Sequence, residues 1–319
     1  LPFVTTNDAP SGTKMSGSTL GNGLGIIGKP SASITRQWQS CTSSTDLTSC
    51  SDIAGATTST YVLTDSEVGK YIRTKVTGTN AVGTTVEYSP LTSSIAALAD
   101  VTSPTVNNIN SSTANGSYKA GAVISIQVTF SENVTVTGTP RLTLETGSTD
   151  RIVDYASGSG TNTLTFTYTV QAGDTSADLD YVATSSLALN SGTIKDAANN
   201  NATLTLASPA ASNSLGANKA IIIDTTAPTQ TISAIDISAD TGSSATDFIT
   251  ATAAQTITGA LSANLGSGES LWGSVNGGVS YTNISSSVTG TAISWTGATL
   301  SGTSSIKFEV RDAAGNVGT

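Results

Sequence analysis

The stretch "TLTFTYTV" (163–170) alternates threonine with Leu164, Phe166, Tyr168 and Val170. Successive side chains of a β-strand point to opposite faces of the sheet, so this period of two predicts a strand with one apolar face. The same alternation recurs in "YIRTKVTGT" (71–79), "VISIQVTF" (123–130) and "SIKFEV" (305–310). Many such strands, separated by turns rich in Gly, Ser and Asn, predict an all-β chain of antiparallel sandwiches.

The composition limits the classes of function. The 319 residues suggest two or three domains, and the net charge of −9 disfavours binding to phosphate backbones, so we expect no nucleic-acid partner. The chain has no histidine, which excludes a Ser-His-Asp triad and a His-ligated zinc. We therefore expect a protein that is not an enzyme. No apolar run approaches the roughly 20 residues that span a bilayer, so we expect no membrane insertion.

Two repeated motifs divide the chain. "ADVTSPTV" (99–106) and "IIIDTTAPTQ" (221–230) share the spacing Asp-x-Thr-x-Pro-Thr, and proline suits a stiff connection because it cannot donate to a sheet ladder. "KDAANN" (195–200) and "RDAAGN" (311–316) share a frame that predicts a tight hairpin after a late strand. The sequence thus predicts three tandem domains, at 8–99, 100–223 and 224–319, and residues 1–7 as a separate strand.

The first of these segments resembles an immunoglobulin-like domain of bacterial surface proteins. "RQWQSC" (36–41) places Trp38 where such domains have their core tryptophan, and "DSEVGKYIRTKVTGTNAVG" (65–83) resembles their late signature, although Arg73 stands where the second cysteine is usual. The resemblance implies that Trp38 is buried in the core of a sandwich.

The other two segments are similar to Ig-like repeats of large, biofilm-associated adhesins. The resemblance rests on "VTFSENVTVTGTPRLTLETG" (128–147) and "SGTIKDAANN" (191–200) in the second segment and on "EVRDAAGN" (309–316) in the third. It implies three Ig-like sandwiches in an extended array on a bacterial cell surface. It also implies that partners are neighbouring domains or copies, and that any host-cell, glycan or matrix ligand binds outside this segment.

The resemblance further implies calcium at the domain junctions, because carboxylate, amide and carbonyl oxygens would gather there. The expected ligands are Asp224, Asp312 and Asn316 with Asp178 and Asp180 at one junction, and Asp100, Asp196 and Asn199 with Asp65 and Glu67 at the other. The alternative is that Asp224 and Asp312 only cap turns by accepting hydrogen bonds from nearby backbone amides.

Two cysteines, Cys41 and Cys50, flank a short loop in "CTSSTDLTSC" (41–50), and we expect them to form a disulfide. A disulfide indicates an oxidising, extracellular environment.

The N-terminal stretch "LPFVTT" precedes the first domain and has the pattern of a final strand, whereas the third domain lacks one. Two explanations are open: the chain is a window cut from a longer repeat protein, or one copy donates its strand to the third domain of another. The exchanged residues would be Leu1, Pro2, Phe3, Val4, Thr5 and Thr6.

Three functions follow in order of preference. The first is a stalk or spacer segment of an adhesin. The second is a subunit of an extracellular filament or surface layer that assembles head-to-tail by β-strand donation. The third is the non-catalytic accessory region of a secreted enzyme, with Trp272 and Trp295 as a sugar-binding platform, although core positions are the alternative for both tryptophans.

Overall fold

The computed structural model describes residues 1–303 and 305–318 of the chain, so Thr319, the last residue of the predicted third domain, lies outside the described residues. The chain forms two compact units, residues 1–101 and 102–319. Nearly all regular structure is β-strand, and almost all strand pairs are antiparallel. The predicted all-β fold class is therefore confirmed, whereas the predicted domain boundaries stay a prediction.

The first unit is one sandwich. Its strands are β1 (Phe3–Asn7), β2 (Thr19–Gly21), β3 (Leu24–Ile27), β4 (Ser33–Cys41), β5 (Cys50–Asp52), β6 (Thr60–Val62), β7 (Tyr71–Asn80) and β8 (Gly83–Tyr88), with 3₁₀ turns at Leu47–Ser49 and Asp65–Glu67. The main sheet has the order β5-β4-β7-β8, and β1-β3 and β2-β6 form two-stranded sheets. Trp38 is fully buried beside Leu20, Leu63 and Ile72, as the resemblance implied.

Cys41 ends β4, Cys50 begins β5, and the two residues form a disulfide. The predicted pairing is confirmed. The bond joins the two strands at the point where their ladder begins.

The N-terminal strand belongs to the first unit. Phe3–Asn7 pairs antiparallel with Leu24–Ile27, and the side chain of Val4 packs on Leu24 and Ile26. Residues 1–6 are therefore neither a strand of a preceding domain nor a donated strand in this structure. The physical reason is that β3 offers a free edge within reach of the chain start, and pairing there satisfies the backbone hydrogen bonds of β1 locally.

The second unit begins with a sandwich that we call the middle sandwich. It contains β9 (Val106–Ser111), β10 (Gly116–Tyr118), β11 (Val123–Thr137), β12 (Arg141–Leu144), β13 (Arg151–Ser157), β14 (Thr161–Thr169), β15 (Thr175–Ser176), β16 (Leu187–Ala188), β17 (Thr193–Lys195), α1 (Leu215–Asn218) and β18 (Ile221–Asp224). One sheet has the order β16-β12-β13-β14-β11-β17, with β9 also on β11, and the other has the order β10-β18-β15.

The predicted alternation sets the core of the middle sandwich. Leu164, Phe166 and Tyr168 of β14 are all buried against the alternate residues of β11. In β11 a bulge after Thr129 shifts the register, so the strand continues seven residues beyond the predicted end.

The remaining strands form a region that we call the third sandwich. They are β19 (Ile232–Ile237), β20 (Ala254–Leu261), β21 (Ser270–Ser274), β22 (Thr282–Asn283), β23 (Val288–Thr289), β24 (Ala292–Thr299) and β25 (Lys307–Arg311), with a 3₁₀ turn at Ser285–Ser287. Its two sheets have the orders β19-β20-β24-β23 and β22-β21-β25. Trp295 packs between the two core clusters of this sandwich, which supports its core position.

Candidate functional site

The loop "RDAAGN" after β25 is closed by one carboxylate. Asp312 Oδ1 accepts from the backbone N–H of Asn316 at 2.9 Å, and Asp312 Oδ2 accepts from Asn316 Nδ2 at 2.8 Å. Gly315 has a φ of 82°, a conformation that a residue without Cβ adopts freely. The frame Asp-x-x-Gly-Asn therefore encodes a compact loop in which the asparagine donates two hydrogen bonds to the aspartate carboxylate.

The loop "KDAANN" after β17 has the same construction. Asp196 Oδ1 accepts from the backbone N–H of Asn200 at 2.8 Å, and Oδ2 accepts from Asn200 Nδ2 at 2.8 Å. Burial of the carboxyl opposes its ionisation, but these hydrogen bonds outweigh burial and lower the pKa of Asp196. The shared frame thus produces the same local structure twice.

This equivalence corrects one predicted residue. Asn199 has a φ of 70° and occupies the left-handed position that Gly315 has in the other loop. Asn200 is therefore the counterpart of Asn316, and the sequence prediction of Asn199 as the site residue is one position early. The alignment of the two frames contained this signal, because Asn200 and Asn316 each stand four residues after the aspartate.

Asn316 also joins the third sandwich to the end of the middle one. Its Nδ2 donates to the backbone oxygen of Asp224 at 2.8 Å, and Lys119 Nζ donates to the backbone oxygen of Gly315 at 2.8 Å. The carboxylate of Asp224 accepts from the backbone N–H of Thr226 at 3.0 Å. The structure thus brings together Asp224, Asp312 and Asn316, as predicted from the sequence.

The contacts at Asp224 fit turn capping better than cation binding. A calcium ligand would present an oxygen, whereas Asn316 turns its amide nitrogen towards the oxygens of Asp312 and Asp224. Both carboxylates accept hydrogen bonds from backbone amides a few residues further on, which is the turn-capping alternative. As placed, Asp224 and Asp312 cap turns, and calcium ligation at this junction stays a prediction.

Asp178 and Asp180 lie away from this site. Leu179 donates to the backbone oxygen of Ile221, at the start of β18, whereas Asp224 is the last residue of that strand, roughly 10 Å further along. Asp180 is buried and accepts from the backbone N–H of Ala210 at 2.9 Å. Burial and the neighbouring charge of Asp180 raise the pKa of Asp178. Asp180 therefore serves the interior of the middle sandwich in this structure, whereas Asp178 is exposed.

Asp174, which lies in the same acidic stretch, has its carboxylate inside the sandwich. It is 1% exposed and accepts from Arg151 Nε at 2.7 Å, from the Tyr168 hydroxyl at 2.7 Å and from the backbone N–H of Gln171 at 3.0 Å. Its backbone oxygen accepts from Thr225 Oγ1 at 2.9 Å, directly after β18. This buried network therefore supports the end of the strand that carries Asp224.

In the first unit, Asp65 and Glu67 form a turn. Glu67 is buried and its Oε2 accepts from the backbone N–H of Thr64 at 2.8 Å, which completes a capping box, and Asp65 accepts from Ser16 Oγ at 2.6 Å. Burial opposes ionisation of Glu67, but hydrogen bonds from Ser66 and Thr64 outweigh it and lower its pKa. Both carboxylates therefore have local structural roles.

The other predicted junction residue in the first unit, Asp100, is exposed near the end of that unit. In the second unit, a carboxylate oxygen of Glu132 lies within 4.8 Å of one of Asp196. The sequence did not indicate Glu132 as a neighbour of Asp196. Glu132 stands in the β-bulge of β11, where the alternation of apolar and polar residues is interrupted. Calcium ligation by Asp100, Asp196, Asp65 and Glu67 stays a prediction.

Trp272 is not an open sugar platform. The guanidinium of Arg311 stacks over the Trp272 ring at 4.5 Å and over the Tyr281 ring at 5.2 Å, and its Nη2 pairs with Glu309 at 2.8 Å. Arg311 thus covers one face of the Trp272 ring. The carbohydrate-binding alternative therefore finds no support at this residue.

No protein-family model matches the chain, and no curated protein matches it significantly. Among solved structures, the FN1–FN3 domains of chicken CNTN1 match with 10% identity and a TM-score of 0.31, over 100% of this chain and 94% of that one. A structure of a 1.5-MDa bacterial ice-binding adhesin matches with 14% identity and a TM-score of 0.31, over 99% of this chain and 94% of that one. Among the described residues, no helix is long and apolar enough to cross a membrane.

Proposed function

We propose that this chain is a non-enzymatic structural segment of an extracellular bacterial adhesin, in which tandem β-sandwiches act as a stiff spacer. The observation that carries the proposal is the contact of Asn316 with Asp224, which ties the late loop of one sandwich to the last strand of the one before it. The disulfide between Cys41 and Cys50 fits an oxidising, extracytoplasmic location. Binding to a host cell, glycan or matrix would then reside elsewhere in the full protein.

Stiffness at this junction comes from several short contacts. Besides Asn316, Lys119 reaches the loop from the middle sandwich, and a Cβ added to Gly318 would lie 2.5 Å from the backbone oxygen of Pro228. Pro228 lies in the linker between the two sandwiches. It has no backbone N–H and its φ angle is fixed, which stiffens the linker. Each contact limits a rotation that an unstructured Gly/Ser linker would permit.

We expect Asn316→Ala to loosen this junction. The substitution removes the side-chain hydrogen bonds to Asp312 and to the backbone of Asp224, and we expect it to lower the free energy of unfolding by about 1–2 kcal/mol. Small-angle scattering of the full chain should show a broader distribution of interatomic distances. Calorimetry measures the change in the free energy of unfolding, and scattering measures the change in the arrangement of the two sandwiches.

The matched control is Asn283→Ala in the same sandwich. Asn283 Oδ1 accepts from the backbone N–H and the hydroxyl of Ser285, two residues away, at 3.0 and 2.8 Å, so its loss affects a local turn and should leave the scattering curve unchanged. An Asn316→Ala protein whose scattering curve equals that of the wild type would contradict the spacer function.

Calcium at the junctions is a separate part of the proposal. If it binds there, chelation by EDTA should lower the melting temperature of the full chain and calcium should restore it, since a ligand of the folded state stabilises by mass action. If EDTA changes neither the melting temperature nor the maximum dimension, the junctions are held by hydrogen bonds alone and calcium is excluded. Asn316→Ala keeps its predicted effect in both cases.

The runner-up, a filament assembled by donation of residues 1–6, is not carried further because those residues pair with Leu24–Ile27 of their own unit.

A further inference from the structure

Asn115 and Gly116 form a chemically reactive pair at the start of β10. The backbone nitrogen of the residue after an asparagine can attack Cγ, the carbonyl carbon of the asparagine side chain. Glycine permits this attack most readily, because it has no Cβ to obstruct the approach. The chain contains three Asn-Gly pairs, which begin at Asn22, Asn115 and Asn276. Their surroundings in the folded protein therefore decide which pair reacts first.

In two of the three pairs, both ends of the asparagine amide are held by hydrogen bonds. Asn22 Oδ1 accepts from the backbone N–H of Leu24 at 3.1 Å, and Asn22 Nδ2 donates to the oxygen of Leu24 at 2.6 Å. Asn276 Oδ1 accepts from the backbone N–H of Ser280 at 3.0 Å, and Asn276 Nδ2 donates to the Ser280 hydroxyl at 2.7 Å. Each side chain must give up these bonds before its Cγ can turn towards the next backbone nitrogen.

The amide of Asn115 is held at its oxygen only. Asn115 Oδ1 accepts from the backbone N–H of Ala220 at 3.2 Å, and Asn115 Nδ2 donates to none of residues 1–303 and 305–318. Attack at Cγ places negative charge on Oδ1, so the N–H of Ala220 stabilises the tetrahedral intermediate. Nδ2 leaves as ammonia, and exposure of the side chain keeps this group in contact with solvent. The contacts of Asn115 therefore favour the reaction, whereas those of Asn22 and Asn276 oppose it.

One hydrogen bond at the reacting nitrogen opposes the attack. The N–H of Gly116 donates to the backbone oxygen of Ala220 at 3.0 Å, and this bond must open before the nitrogen can reach Cγ. Gly116 is exposed and is the first residue of a strand of three residues. Hydrogen bonds at the end of a short, exposed strand open at a small cost in free energy, so this protection is weak.

We propose that Asn115 is a site of spontaneous covalent modification, which converts it through a cyclic imide to aspartate and isoaspartate. The nitrogen of Gly116 forms a bond to Cγ of Asn115, the bond between Cγ and Nδ2 breaks, and the proton lost by the Gly116 nitrogen departs with Nδ2 as ammonia. Water then opens the ring: addition at Cγ yields aspartate, and addition at the backbone carbonyl carbon yields isoaspartate. Each event adds one negative charge to the net charge of −9.

The two products affect the pairing of β10 with β18 differently. Aspartate at position 115 keeps an oxygen that accepts from the N–H of Ala220. Isoaspartate routes the main chain through Cβ and Cγ, which inserts one carbon atom into the backbone directly before Gly116. Gly116 lies opposite Ile221 in the parallel register of the two strands, so this insertion displaces the start of β10 and weakens the pairing. The inference is independent of the spacer function and of calcium.

The test incubates the full chain for days at mildly alkaline pH and maps it by peptide mass spectrometry, with enzymatic methylation to detect isoaspartate. We expect modified Asn115 to accumulate about tenfold faster or more than modified Asn22 or Asn276, which corresponds to about 1.4 kcal/mol in the activation barrier. The rate should rise with pH, because the attacking nitrogen must lose its proton. In denaturant, where the folded contacts are lost, the three sites should react at similar rates.

Asn115→Gln is the matched variant. Glutamine keeps the amide group, but attack on it requires a larger ring that closes more slowly, so position 115 should stay unmodified. Hydrogen exchange of the β10 and β18 amides should become faster during incubation of the wild type and stay constant in the variant. Three outcomes would overturn the proposal: no modification of Asn115 in the folded chain, faster modification of Asn22 or Asn276, or the same relative rates in the folded chain as in denaturant.

Discussion

Replacing Asp174 with alanine is expected to lower the free energy of unfolding of the second unit by about 3 kcal/mol. The carboxylate is buried and accepts three hydrogen bonds, from Arg151, Tyr168 and Gln171. Its removal leaves a partly buried guanidinium and a buried hydroxyl without their acceptor. Denaturant unfolding followed by circular dichroism measures the change.

Asp154→Ala is the matched control for this substitution. Asp154 also pairs with an arginine at 2.8 Å, Arg141, but both side chains are about half exposed. Exposed pairs contribute about 0–1 kcal/mol because water and salt screen them. If the two variants lost similar free energy of unfolding, burial would add nothing to the stabilisation by Asp174, which contradicts the prediction.

The same carboxylate predicts a pH dependence. Burial would raise the pKa of Asp174, but the hydrogen bonds from Arg151, Tyr168 and Gln171 outweigh burial and lower it. A folded-state pKa below the unfolded value of about 3.9 means that the stabilisation is complete above that pH and is lost as the pH falls through the folded-state pKa. Asp174→Ala should therefore lose less stability than the wild type on acidification below about pH 4.

Replacing Trp38 with alanine is expected to lower the free energy of unfolding of the first unit by about 3–5 kcal/mol. The indole has no exposed surface, packs on Leu20 and Ile72, and donates from Nε1 to the backbone oxygen of Thr58 at 2.9 Å. The substitution leaves a large cavity and removes the hydrogen bond to Thr58. Denaturant unfolding followed by NMR signals of the first unit reports the change.

Trp272→Ala is the contrasting variant. Trp272 is half-buried and loses chiefly its stacking with Arg311, so the expected cost is about 1 kcal/mol. If Trp38→Ala were as mild as Trp272→Ala, the tryptophan would not be the core residue of the first sandwich.

Local pattern predicted the strands well because it reports which face of a strand is buried. The alternation in 163–170 and 71–79 matches β14 and β7 closely, and the burial of Trp38 follows from its place in β4. Pattern alone did not show that residues 1–6 pair with β3. Several edges can accept the same strand, and the choice depends on the geometry of the whole unit.

The candidate site was predictable only where its contacts are local. Asp312 and Asn316 are four residues apart, and the repeated frame revealed their pairing. The partner of Asp174, Arg151, is 23 residues away on another strand, and its pairing depends on sheet register. Asp178 was placed with Asp224 because the resemblance implies that both lie at the same domain junction, but Leu179 pairs with the start of β18 and Asp224 is the end of that strand.

The pairing of β18 with β10 has a mechanical consequence for the middle sandwich. Gly116–Tyr118 lies parallel to Ile221–Ile223, and the two strands stand near opposite ends of the chain segment that forms this sandwich. Tension along the chain pulls parallel neighbours in opposite directions, so their hydrogen bonds are loaded in shear and must break together. In a hairpin pulled open from its ends, the bonds would instead break one after another. The middle sandwich therefore carries a short clamp against stretching, made of the same isoleucines that close its core.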